Sequence, residues 1–121
     1  MPQQSANLRT RTKAHALRVI RLFRELPRDT DAQVIGKQML RSGTSVGAQY
    51  REACRAKSQA DFISKMEGSL QELDETGYWL ELLVESGTMS IDRLADIQRE
   101  NGELTAIFIA SIRTAKKNRK T

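Results

Sequence analysis

Apolar residues recur at steps of three and four along most of this chain, and that periodicity points to amphipathic helices rather than strands. Ala16, Val19, Ile20, Phe23 and Leu26 share one face of a helix over about residues 8–26. Leu22 widens the stripe, and Pro27 ends the helix because it cannot donate a hydrogen bond and restricts the residue before it. Asp29, Thr30 and Asp31 offer caps for a second helix over about 32–57, striped by Ile35, Met39, Val46, Tyr50 and Ala53, with Ser42 in line. Ser58, with Asp61 three residues on, opens a third over 59–86, striped by Phe62, Met66, Leu70, Leu73, Leu80 and Val84. Gly87 is placed to cap its end. Ser90 caps a fourth over about 91–115, where Leu94, Ile97, Asn101, Leu104, Phe108 and Ile112 form a seam. Short links between four such helices predict an all-α, up-down-up-down four-helix bundle, read as a single domain over residues 1–121.

Details inside these helices carry further expectations. Gly36, Gly43 and Gly47 each cost the second helix about 1 kcal/mol relative to Ala, and a break near Ser42-Gly43-Thr44 is one reading. The stripe keeps its phase across them, so a continuous helix is expected, with Gly43, Gly47 and Ala48 letting a neighbouring backbone come close. Asn101 is the polar member of the fourth seam. It either fixes register or oligomer state or bonds a local backbone group or a water. In the stretch Tyr78–Val84 apolar groups point almost all round the third helix, which calls for a second partner surface and marks Tyr78, Trp79, Leu82 and Leu83 as candidate subunit-interface residues; the other reading is that Trp79 merely closes one end of the bundle. After Ile112 the chain turns basic, and residues 113–121 are expected to form a mobile tail.

Charge is segregated. Residues 1–57 carry 12 Lys/Arg against 4 Asp/Glu, residues 58–112 carry 3 against 11, and the last nine carry 5 basic residues and no acid, for a net +5. Lys13, Arg18, Arg21 and Arg24 lie away from the first apolar stripe and Lys37, Arg41, Arg51 and Arg55 away from the second, while Lys116 and Lys117 belong to the tail. A basic half predicts a polyanionic partner, RNA or DNA. The acidic half leaves a second reading open: a scaffold whose basic and acidic helices pair within or between subunits, or with another protein.

Catalytic and cofactor chemistry find little support. One Cys and one His exclude a disulfide within the chain and a multi-Cys or multi-His metal site. Cys54 reads as a small buried thiol and His15 as a packed or half-exposed residue. No Glu-x-x-His occurs, and Gly43–Gly47 lacks the Lys-Ser/Thr ending of a phosphate loop. The expectation is a non-enzymatic protein without cofactor or metal. Met1–Asn7 is polar with no apolar segment after it, and no run approaches the ~20 apolar residues of a membrane helix. A cytoplasmic protein that does not enter membranes is expected.

The stretch Ile35-Gly-Lys-Gln-Met-Leu-Arg-Ser-Gly-Thr-Ser-Val-Gly-Ala-Gln-Tyr-Arg-Glu-Ala53 resembles the signature of the four-helix-bundle proteins encoded in intervening sequences of bacterial 23S ribosomal RNA genes. Arg18–Phe23 before Leu-Pro, Ala60–Ile63 and Asp74–Leu83 extend the resemblance over most of residues 8–84. Gln49 and Gly77 depart from it, standing where Asn and a larger residue are expected. The resemblance implies a bundle that assembles into a ring, typically a homopentamer, and a relation to bundle proteins that serve retroelements by contacting nucleic acid and a reverse transcriptase through basic surface. It leaves the biochemical role open, with structured RNA, such as ribosomal RNA, favoured by the basic helices.

Overall fold

Pro27 and the polar run after it leave the chain no way to continue its first helix, and Leu26 closes that end against the second. A computed structural model describes the chain over residues 2–119, with side chains from residue 7. It contains four helices: α1 (Pro2–Arg24), α2 (Thr30–Cys54), α3 (Gln59–Glu85) and α4 (Ile91–Arg119). No strand occurs among the described residues. Consecutive helices pack on one another, α2 against α3 most extensively, and α1 meets α4 over a smaller surface. This is the expected all-α, up-down-up-down four-helix bundle.

The helix ends follow local chemistry. Ser58 Oγ accepts from the Asp61 amide (3.0 Å) and Ser90 Oγ from the Arg93 amide (3.2 Å), each satisfying an orphan donor of a first turn. Gly87 takes φ +77°, a conformation open to glycine without strain, and ends α3 as its amide bonds the Val84 carbonyl (3.0 Å). Asp29 occupies the cap position of α2, but its side chain caps nothing. α2 runs unbroken through Gly36, Gly43 and Gly47. The segment read as a mobile tail is, up to Arg119, the last part of α4; Lys120 and Thr121 lie outside the described residues.

The seam of α4 is buried as the periodicity requires, but α1 and α3 present inward lines that differ from the expected ones. In α1 the buried line is Leu8, Thr12, His15, Val19, Leu22 and Leu26, with Ala16, Ile20 and Phe23 on its flank. In α3 it is Ile63, Met66, Ser69, Leu73, Thr76, Leu80 and Leu83, with Phe62, Leu70 and Val84 half-buried. The reason is that small polar residues point inward. Ser69 Oγ donates to the Val46 carbonyl (2.9 Å), and Thr76 Oγ1 meets Ser42 Oγ (2.7 Å). Leu83 is therefore a core residue with no exposed surface, packed in one cluster with Val19, Leu22, Met39 and Leu94, and is not available to a subunit interface. Cys54 also departs from expectation. It is the last residue of α2, lines an open cavity of about 420 Å³ at the end of the bundle with Leu8 and Phe62, and is exposed.

The core divides into two apolar clusters. One contains Leu8, Val46, Tyr50, Leu104 and Phe108, with the Tyr50 and Phe108 rings edge to face at 5.7 Å; the other contains Val19, Met39, Leu80, Leu83 and Leu94. Each such Leu or Phe contributes about 1.5–3 kcal/mol by leaving water. Between the clusters lies a polar layer with a residue from every helix: His15, Ser42, Thr76 and Asn101, all buried. Asn101 Nδ2 donates to the Leu73 carbonyl (3.0 Å), which leaves its Oδ1 as the acceptor for His15 Nε2 (2.9 Å). Asn101 thus bonds within its own chain. Gly77 makes room for it, since a Cβ there would stand 3.2 Å from Asn101 Nδ2.

Two predictions follow from the packing. A Cβ at Gly43 would lie 2.8 Å from Val19 Cγ2, whose branched side chain has little freedom to yield, whereas nothing lies within 4 Å of one at Gly102. Gly43→Val should lower stability by about 1–3 kcal/mol, and Gly102→Ala should raise it by up to about 1 kcal/mol, both read from denaturant midpoints. Burial holds the His15 pKa below its ordinary 6.5, against the opposing pull of the Asn101 bond and of Glu100. The unfolded chain therefore takes up the proton first. The His15 contribution is complete above pH 6.5 and declines as pH falls from there toward the depressed folded value. The wild type should lose stability across that window relative to His15→Gln in urea titrations at stepped pH.

Candidate nucleic-acid interface

The approach of α1 to α2 gathers exposed Lys and Arg residues along one face of the bundle. A Cβ at Gly47 would stand 3.0 Å from Thr12 Oγ1, and Gly36 lies directly beneath Phe23 and Leu26, so the two helices run close together along their length. That contact fixes the rotation of both. Lys13 and Arg24 on α1, Lys37 and Arg51 on α2 and Arg55 just past its end are all exposed. None of them makes an ion pair or hydrogen bond to another described residue. Lys13 and Arg51 border one groove of about 250 Å³, floored by Ala16, Thr44, Gly47 and Ala48.

The other predicted basic residues lie elsewhere. Arg41 turns toward α3 and pairs with Glu75 (3.3 Å). Arg18 and Arg21 border the groove between α1 and α4 with Glu25 and Arg93, which pair with each other. Lys116 pairs with Glu67 (2.9 Å), and Lys117 lines the α3–α4 groove beside it with Arg113 and Ile109. The ten candidates therefore do not form one surface: the α1–α2 face gathers Lys13, Arg24, Lys37, Arg51 and Arg55, and the rest are distributed around the bundle.

Acidic residues of the second half are partly committed to the first. Arg11 grips Glu100 with two bonds, Nε to Oε2 (3.1 Å) and Nη2 to Oε1 (2.6 Å), and reaches Glu103 (3.3 Å). This bidentate pair joins α1 to α4 where their packing is thinnest, and the carboxylates hold the Arg11 pKa above its ordinary value. The sequence reading missed Arg11, since no local spacing links it to residues nearly ninety positions away. Glu72 has one carboxylate oxygen buried without a partner while the other accepts from Gln49 (3.3 Å). Desolvation and the neighbouring Glu75 raise its pKa, and Arg41 opposes them. Gln49 in turn lies over Gly68, where a side chain would require the end of Gln49 to shift.

Of the candidate interface residues, Tyr78 is 53% exposed, with its ring edge-on to Trp79 at 5.1 Å, and Trp79 and Leu82 are half-buried. Trp79 Nε1 is buried without a hydrogen-bond partner. No group of His, Cys, Asp and Glu that could hold a metal occurs among the described residues, and none of the described helices is long and apolar enough to cross a membrane.

Comparison with known proteins places this geometry. The profile of the 23S rRNA-intervening sequence proteins matches residues 6–110. The chain belongs to that family. A crystal structure at 1.70 Å of a protein of unknown function, from the S23 ribosomal protein family of Bacteroides thetaiotaomicron VPI-5482, is similar in sequence and fold. The two are 36% identical with a TM-score of 0.84, over 90% of this chain and 97% of that one. No curated protein matches the chain. Membership of the family accords with the signature in α2, whose Gly43 and Gly47 build the α1–α2 contact.

Proposed function

We propose that this member of the family is a non-enzymatic bundle that binds nucleic acid, structured RNA such as ribosomal RNA foremost, on the α1–α2 face. One observation carries the reading: Lys13, Arg24, Lys37, Arg51 and Arg55 stand exposed along the α1–α2 contact without ion partners among the described residues. Cations left unpaired on one face meet polyanions through released counterions, so affinity is steeply salt-dependent and carries little sequence preference. The neighbour's description as a member of a ribosomal protein family fits an RNA partner in the cytoplasm. No cofactor enters this reading.

The surface around Tyr78 favours a second, compatible reading, in which copies of the chain assemble into a ring, with a pentamer as the family resemblance implies. Tyr78, Trp79 and Leu82 form a half-open apolar patch, and Asp74, Glu81 and Glu85 stand exposed on the same helix without ion partners among the described residues. A ring needs two different surfaces on each chain, and this patch supplies one that is separate from the α1–α2 face. Repetition of the α1–α2 face around such a ring would raise avidity.

Lys13→Glu, Arg51→Glu and Arg55→Glu together should weaken binding of a labelled RNA hairpin at least tenfold at low salt. The slope of log K against log salt should become shallower by about 2–3. The same reversals at Lys65 and Arg99, which are already paired, should have little effect; fluorescence anisotropy reads both. Trp79→Ala with Leu82→Ala should shift the sedimentation coefficient of the assembly to that of a smaller species while helical circular dichroism is kept.

A further inference from the structure

We propose that the α1–α2 face takes an A-form RNA duplex across its minor groove, with phosphates of the two strands held at opposite ends of the face. The inference rests on the reading of this face as the nucleic-acid surface and specifies what it binds. The basic residues fall into two groups. Lys13 and Arg51 share one groove, with Arg55 one turn beyond Arg51. At the other end, the seating of Gly36 against Phe23 and Leu26 puts Lys37 level with Arg24. With a rise of 1.5 Å per helical residue, Lys13 and Arg24 are separated by about 16 Å along α1, and Lys37 and Arg51 by about 21 Å along α2.

The strip between the groups carries no charge. It consists of Ala16, Leu17 and Ile20 on α1 and Leu40, Thr44 and Ala48 on α2, with Leu17 exposed and the Thr44 hydroxyl turned back to the Leu40 carbonyl (2.8 Å). The glycine contacts keep α1 and α2 close, so the face is a broad, shallow surface rather than a single projecting helix. Two helices side by side are wider than the ~12 Å major groove of B-DNA, which admits one, and its ~6 Å minor groove is narrower still. The minor groove of an A-form duplex is wide and shallow and is bordered by phosphates on both sides. Single strands are bound on aromatic stacking platforms, and this face has none: Tyr78 and Trp79 belong to α3, and Phe23 is packed against Gly36.

The test measures anisotropy of the full chain with three labelled probes of equal length: a blunt RNA duplex, an unpaired RNA strand and a DNA duplex of the same sequence. The RNA duplex should bind at least tenfold more tightly than either of the others. Lys13→Glu and Lys37→Glu, one from each group, should each reduce that affinity at least fivefold. Both residues are exposed and unpaired, so circular dichroism should show the fold unchanged. Equal affinity for all three probes, lost on charge reversal, would overturn the duplex proposal while leaving the α1–α2 face as a phosphate-binding surface. An effect confined to one of the two Lys variants would overturn docking at both ends. Absence of binding by every probe at low salt would overturn the nucleic-acid reading itself.

Discussion

The hydrogen bond between His15 and Asn101 ties the first helix to the last at the level where the core changes from one apolar cluster to the other. Asn101 also holds the Leu73 carbonyl, and Ser42 meets Thr76, so the layer connects all four helices. Apolar contacts alone specify burial but tolerate sliding and rotation, because they have no direction. A buried hydrogen bond is directional, and leaving its partners unpaired costs about 1–3 kcal/mol. The layer therefore selects one height and one rotation for each helix among those that would bury similar area. It matters most for α1 and α4, which share little packing and are otherwise held by Arg11 on Glu100.

The surface inherits that selection. With His15 and Thr12 turned inward, Lys13 and Arg24 must project on the side of α2, and Arg11 and Arg18 on the side of α4. The glycines of α2 act in the same way from the other partner: because Val19 and Thr12 occupy the space where side chains would stand, Lys37, Arg51 and Arg55 are carried to the outer edge of the contact. The basic face is thus a consequence of how two helices meet. It differs from the charges that face α3, where Arg41 and Lys116 find carboxylates. Cations with partners in the chain have already lost much of what a phosphate could offer them; those on α1–α2 have not.

Family membership accounts for the bundle and for the glycines of α2, and it does not by itself assign a role, since one fold serves many functions. What this chain adds is the distribution of unpaired charge. Net charge alone would have spread the attraction over the whole molecule. The Arg11, Arg41, Arg93 and Lys116 pairs cancel part of it locally, while the cations of the α1–α2 face keep their charge uncompensated among the described residues.

Helix number, the caps at Ser58, Gly87 and Ser90 and the seam of α4 were legible in the sequence, because periodicity, capping and chain breaking act over a few neighbouring residues. The close approach at Gly43 and Gly47 was legible too, since an unbroken stripe leaves a glycine no role there except to admit a neighbour. The rotation of α1 and α3 was not. Hydropathy gives Ser69, Thr76 and Thr12 no reason to turn inward; Ser69 and Thr76 find partners on α2 at the Val46 carbonyl and Ser42, and Thr12 satisfies its hydroxyl at the Leu8 carbonyl of its own helix. The same rotation buried Leu83, and the open end of the bundle exposed Cys54. The sequence by itself determined which segments are helical and where positive charge resides; tertiary structure decided which of those charges are neutralised, because ion pairing depends on distances between residues that only packing brings together.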